Sequence, residues 1–161
     1  MEDLLIVIIR WLHVLSGVMW IGLLWYFNFV QIPSMPKIPD DQKPAIGKVI
    51  APEALFWFRW SALSTVVFGL ILAMMNGYLV DALVLNNALI GFGMWLGLIM
   101  AFNVWFVIWP NQQKALGMVE VEADAKAKAA RTAMLFSRTN TMLSVPMLFA
   151  MVAAQNMTLY P

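Results

Sequence analysis

The chain contains no cysteine among its 161 residues. Disulfides, thiolate metal sites, iron–sulfur clusters and haem attached covalently through CxxCH are therefore excluded, and any redox chemistry requires a non-covalent cofactor or a partner. Charge is also scarce. Asp, Glu, Lys and Arg make up 12% of the residues against 62% hydrophobic, and the mean hydropathy is +0.77. That balance excludes an ordinary water-soluble domain and specifies an integral membrane protein. The net charge is only +1. The basic residues sit in membrane-flanking loops rather than in one stripe, so nucleic-acid binding is excluded. Histidine occurs once, as His13, which leaves no set of several ligands for a first-row metal cluster.

What is present is long apolar sequence. A hydrocarbon core about 30 Å thick needs about 20 helical residues, and four segments meet that length: 4–31, 54–79, 83–109 and 131–155. The expected fold class is all-α, an integral membrane four-helix bundle forming a single domain over residues 1–161. The first segment reads as an anchor rather than a signal peptide, because Glu2 and Asp3 replace a basic start and no small-residue cleavage site follows. Lys37, Lys43 and Lys48 fall in the first loop, and Lys114, Lys126, Lys128 and Arg131 in or at the end of the third; the second loop and both tips carry none. The positive-inside rule then predicts two cytoplasmic loops and periplasmic N and C termini, in a bacterial inner membrane. Trp11, Trp25, Trp57, Trp60, Trp105 and Trp109 lie near the ends of these segments, where indole rings prefer the interface.

The loops differ in character. Pro33, Pro36, Pro39, Pro44 and Pro52 predict an extended, semi-rigid first connection. In the third, Glu122 and Asp124 stand four residues before Lys126 and Lys128, the favourable order for helical ion pairs. This predicts a cytoplasmic helical extension over about 119–131. Small residues recur at Ser61, Thr65, Gly69, Ala73 and Gly77 in the second segment and at Gly93, Gly97 and Ala101 in the third, which predicts a tight hairpin between the two.

Polar groups within the apolar segments mark interior faces, since they are costly against lipid. Arg10, His13, Gly17, Trp20, Leu24, Phe27 and Gln31 recur every three or four residues and form one stripe. His13 has two readings. It is a haem axial ligand, with Gly17 one turn on leaving room for a macrocycle and Arg10 beside it, or it makes an interhelical hydrogen bond. Haem b is the cofactor the first reading implies, with His13 of a second copy, a methionine or an open position opposite. Towards the other end Arg59, Asn103, Arg138 and Asn140, with Asn28, Gln31, Asn111 and Gln112, form an inner polar zone. Its arginines suit an anion, a haem propionate or a planar amide-bearing ligand. The alternative is snorkelling to lipid phosphate, with Glu53 as a partner for Arg59. Acid–base pairs are not apparent: Glu53 and Asp81 are isolated, and Asp40 and Asp41 sit in the proline-rich loop.

Three stretches, "RWLHVLSGVMWIG", "NVWFVIWPNQQKALG" and "SRTNTMLSVPMLFAMVAAQN", together resemble the N-terminal membrane domain of the bacterial membrane-bound urate oxidases. The resemblance implies a multi-helix membrane domain, in full-length members followed by a periplasmic cytochrome c that takes electrons from urate oxidation. This chain resembles a short form that ends at "NMTLYP", so a separate cytochrome c becomes the implied partner. His13, Asn103, Asn111, Arg138 and Asn140 match motif positions; Thr139 and Thr141 stand where the pattern has a histidine and a second asparagine. Two functions follow as expectations. One is an oxidoreductase-like, haem-binding electron-transfer subunit. The other is a non-catalytic accessory subunit that stabilises a larger respiratory or photosynthetic complex, with the bilayer, other membrane subunits or a second copy as partners.

Overall fold

The structure, a computed structural model, describes residues 2–157. The expected placement of the C-terminal tail falls on 158–161, outside the described residues. The fold is all-α, built from four long helices and one short one: α1 (Glu2–Lys37), α2 (Lys43–Met75), α3 (Leu79–Leu83), α4 (Ala88–Ala115) and α5 (Ala123–Asn156). No strand occurs among the described residues. The ends of α1, α2, α4 and α5 that carry the lysine-bearing connections lie together, and the α2–α3–α4 turn lies at the opposite end.

α1, α2 and α4 are each long and apolar enough to cross a membrane. α5, at 34 residues, is long enough but less apolar. The cause is a polar run from Ser137 to Ser144. Ser137, Asn140 and Ser144 are buried against other helices, whereas Met142, Val145, Phe149 and Val152 are exposed. Three of these polar residues are thus turned inward, Arg138 and Thr139 stay exposed, and an apolar face remains beyond them.

The first connection is not the extended spacer the prolines predict. α1 runs on to Lys37 and α2 begins at Lys43, so only 38–42 lie between them. Pro44 takes a first-turn position of α2, where the missing N–H costs nothing, whereas Pro33, Pro36 and Pro52 lie within continuous helix. Three π-helical turns, Tyr26–Gln31, Ile46–Ile50 and Asn103–Ile108, each end two residues before a proline: Pro33, Pro52 and Pro110. A proline cannot donate to the carbonyl four residues back and its ring crowds that carbonyl; widening the preceding turn relieves both conflicts. α4 likewise starts at Ala88, later than expected, because the chain first forms α3 and a turn in which Leu85 takes φ 62°. The helical part of the third connection begins at Ala123 rather than near 119.

The small-residue ridges pack differently from the expected hairpin. α2 packs chiefly on α1, and α4 chiefly on α5. The α2 ridge receives α1: the His13 ring lies against Gly69, and Gly17 faces Thr65. Gly93 of α4 meets Ala150 and Met147 of α5, and Gly97 meets nothing within 4 Å. The reason is steric, because a bare glycine admits an imidazole or a helix backbone more closely than it gains from another glycine.

The two pairs join in one cluster near the lysine-bearing end. Trp20, Leu24 and Phe27 of α1 meet Leu55, Phe58 and Ala62 of α2, Met100, Val104 and Ile108 of α4, and Met147 of α5. Hydrophobicity gives these faces no preference over lipid tails, so close packing and hydrogen bonds hold them. Two bonds tie the pairs: Trp25 Nε1 donates to Ser144 Oγ at 2.9 Å, and Asn28 Nδ2 to Ser137 Oγ at 2.8 Å.

Candidate functional site: an amide-lined cavity at the lysine-bearing end

The polar residues of the inner zone do not form one site; the helices sort them into five places. Asn103 Nδ2 donates to Asn140 Oδ1, and Asn140 Nδ2 donates to the Met100 carbonyl, both at 2.9 Å. Asn140 is fully buried. This pair is a closed bridge between α4 and α5, since its donors and acceptors serve each other. Asn111 Nδ2 returns to the Val107 carbonyl at 2.8 Å within α4. Arg138 and Thr139 are exposed on α5, and the Thr139 hydroxyl donates back to the Leu135 carbonyl.

Arg59 goes elsewhere. Its guanidinium carbon lies 3.3 Å over the Trp109 ring, and its Nε donates to the Leu55 carbonyl at 3.1 Å. Glu53 is not its partner: that carboxylate accepts from Trp57 Nε1 at 3.1 Å, one turn away on the same face.

The fifth place is a cavity of about 160 Å³ where all four long helices converge. Phe27, Gln31 and Ile32 of α1, Ala51 and Leu55 of α2, Gln112, Ala115 and Leu116 of α4, and Ala133, Met134 and Ser137 of α5 line it. Two of these side chains are amides with a buried and unpartnered oxygen, Gln31 Oε1 and Gln112 Oε1. Beside them, Asn28 Oδ1 is also buried without a partner. Buried polar atoms lacking partners are uncommon, so the three mark a polar neighbourhood within an otherwise largely apolar lining. The π turn Tyr26–Gln31 holds Asn28 and Gln31, and π turns often mark functional positions. Sequence periodicity placed Gln31 and Gln112 near this end. It could not single them out, because their pairing depends on two π turns that break the helical period.

His13 and Arg10 lie apart from this cavity. His13 Nδ1 donates to the Thr65 carbonyl at 2.8 Å, so the interhelical bond is present. A neutral ring then carries its lone pair on Nε2, the arrangement an axial haem ligand uses. Gly17 does not supply the space for a macrocycle: a Cβ built on it lies 3.8 Å from the Thr65 methyl, ordinary contact across an already filled gap. The residues fit an axial donor but not a porphyrin between α1 and α2. Arg10 is exposed, outside the inward stripe. It lies near Tyr78 beyond the end of α2, where burial raises the phenol above its ordinary pKa and the arginine charge opposes that rise.

An all-α, multi-pass membrane architecture with a small amide-lined cavity at one end is the class these features define. The family model described as urate oxidase N-terminal matches residues 75–161, more than half of the chain, and the chain belongs to that family. The match spans α3, α4 and α5, and with them Asn103, Asn111, Gln112, Arg138 and Asn140; His13, Gln31 and Arg59 lie outside it. No curated protein and no solved structure is significantly similar to the chain.

Proposed function

We propose that the chain is a membrane-embedded binding domain of a urate-oxidase-type system, which holds a small, planar, hydrogen-bonding ring at the cytoplasmic ends of its helices. The supporting observation is the cavity with the unpartnered oxygens of Gln31 and Gln112. At about 160 Å³ it is well below the ~300 Å³ of drug-sized pockets, so its occupant is a small molecule. An oxopurine such as urate, the compound in the family's name, offers N–H donors for those oxygens and carbonyl acceptors for the amide N–H groups. The reading assigns binding and membrane placement to this chain; it assigns no bond-making residue.

Equilibrium binding of urate to the purified protein in nanodiscs tests the reading. Gln31→Leu and Gln112→Leu should each weaken binding about tenfold, the loss of one buried hydrogen bond and desolvation of its partner. If urate does not bind the intact protein while other membrane subunits co-purify with it, the accessory-subunit reading replaces this one. The free Nε2 of His13 favours one further role, a haem b held at a subunit boundary of a redox assembly that works with a separate cytochrome c. A reduced-minus-oxidised spectrum with Soret and α bands that vanish in His13→Ala would establish it, and a colourless protein would dismiss it.

A further inference from the structure

Arg59 is fixed on one side and open on the other. Its guanidinium carbon is 3.3 Å from the Trp109 centroid and 5.7 Å from that of Trp105, and Trp60 packs edge-on against Trp105. At 3.3 Å a guanidinium standing upright would drive a nitrogen into the indole, so it lies flat on the ring. Nε is used by the Leu55 carbonyl. The two Nη groups have no hydrogen-bond or ion-pair partner among the described residues. Glu53, the nearest carboxylate in sequence, is engaged by Trp57.

A half-buried guanidinium within a membrane-spanning helix is costly unless its donors are met by charges, carbonyls or the interface, and the Leu55 carbonyl meets only one of them. Trp105 and Trp109 beside it, with Trp60 against Trp105, are of the residue type that settles at headgroup depth. The free edge of the fork spans two oxygens of a phosphate, a geometry lysine cannot reproduce. We infer that Arg59, seated on Trp109, forms a binding site for a phosphate-bearing anion in the leaflet next to the lysine-bearing loops, filled by an anionic phospholipid headgroup or by free phosphate. This site is separate from the amide-lined cavity and does not depend on the reading given for it.

Native mass spectrometry of the purified protein, titrated in turn with phosphatidylglycerol, phosphatidylcholine and inorganic phosphate, tests the inference. Selective retention of phosphatidylglycerol, weakened about tenfold in Arg59→Gln, identifies the lipid source. Binding of inorganic phosphate with the same dependence on Arg59 identifies the free anion. Trp109→Leu should weaken either by several-fold, because the guanidinium loses its platform. Arg59→Lys keeps the charge, and with it insertion and folding, but loses the fork; its weaker binding keeps the test valid if Arg59→Gln does not fold. Lys128→Gln, an exposed cation on the extension of α5, should change nothing. Equal retention of all three probes, the zwitterionic phosphatidylcholine included, by the wild type and Arg59→Lys overturns the inference.

Discussion

Replacing Gly69 with alanine strikes the tightest contact between α1 and α2. A Cβ there would lie 2.8 Å from His13 Cε1 and 3.1 Å from Nδ1, inside the ~3.5–4.0 Å at which carbon atoms pack comfortably. The ring cannot swing aside without cost, because Nδ1 is bonded to the Thr65 carbonyl at 2.8 Å. Losing that bond costs about 0.6–1.7 kcal/mol within a membrane. Overpacking adds roughly 1–3 kcal/mol, and alanine's better helix propensity returns about 1 kcal/mol. The net expectation is a loss of about 0.6–3.7 kcal/mol. Gly17→Ala on the facing helix should behave oppositely, because its Cβ meets only the Thr65 methyl at 3.8 Å; it should be neutral or stabilising by up to about 1 kcal/mol. Unfolding in mixed micelles of rising SDS content, followed by far-UV circular dichroism, measures both. In a double-mutant cycle Gly69→Ala should add no further loss to His13→Ala, since the clash disappears with the ring. A Gly69→Ala protein as stable as the wild type, or losses from the two substitutions that simply add, would refute the reasoning.

Other expectations follow from the same geometry. Asn140→Ala removes the donor to Met100 and the acceptor for Asn103, so the same titration should register a loss of about 1–2 kcal/mol. Asn111→Ala, which breaks only a bond within its own helix, should cost less. In Gly91→Ala the new Cβ would collide with the backbone carbonyl of Ala82, which cannot give way as a side chain can; α3 should detach from α4, seen as faster proteolysis of the 84–87 turn. Lys43 beside Asp40 holds the Asp40 carboxyl below the ordinary carboxylate range. Its small contribution to folding is therefore present above the unfolded pKa and lost as pH falls through the lower folded value. In Lys43→Gln, NMR titration should find Asp40 back near the ordinary value, with stability near neutral pH almost unchanged because the pair is exposed.

Length and hydropathy made the helical membrane architecture legible, because apolar runs of this length have few other uses. The inward turn of His13, Trp20, Leu24 and Phe27 was legible too, from a spacing of three and four. Partner choice was not. Ser61, Thr65 and Gly69 mark a packing face without saying what fills it, and the occupant is α1, not α4. Nor did counting prolines predict their effect, since Pro33, Pro44 and Pro52 sit where a helix can accept them. The fate of Arg59 depended on Trp109, fifty residues later in the chain, a contact no local pattern encodes. Asn140 was visible as polar, but only the fold separates its closed bridge from the open amides of Gln31 and Gln112.

The π turns have a consequence for how this chain tolerates change in length. Each takes up one residue beyond the α-helical count, so everything downstream lies about 100° behind the phase a regular helix of the same length would give it. In α1 that offset, acquired between Tyr26 and Gln31, brings Gln31 round to the same cavity as Gln112. Deleting one residue from this turn would close it to a regular α turn and keep the amide in place, whereas deleting one from the regular part of α1 would leave a helix almost as long and as apolar, still able to span a bilayer, with its amide swung out of register. Insertion into the membrane and possession of the cavity are thus separable properties of one helix, the first set by how many residues it has and the second by their count modulo a turn.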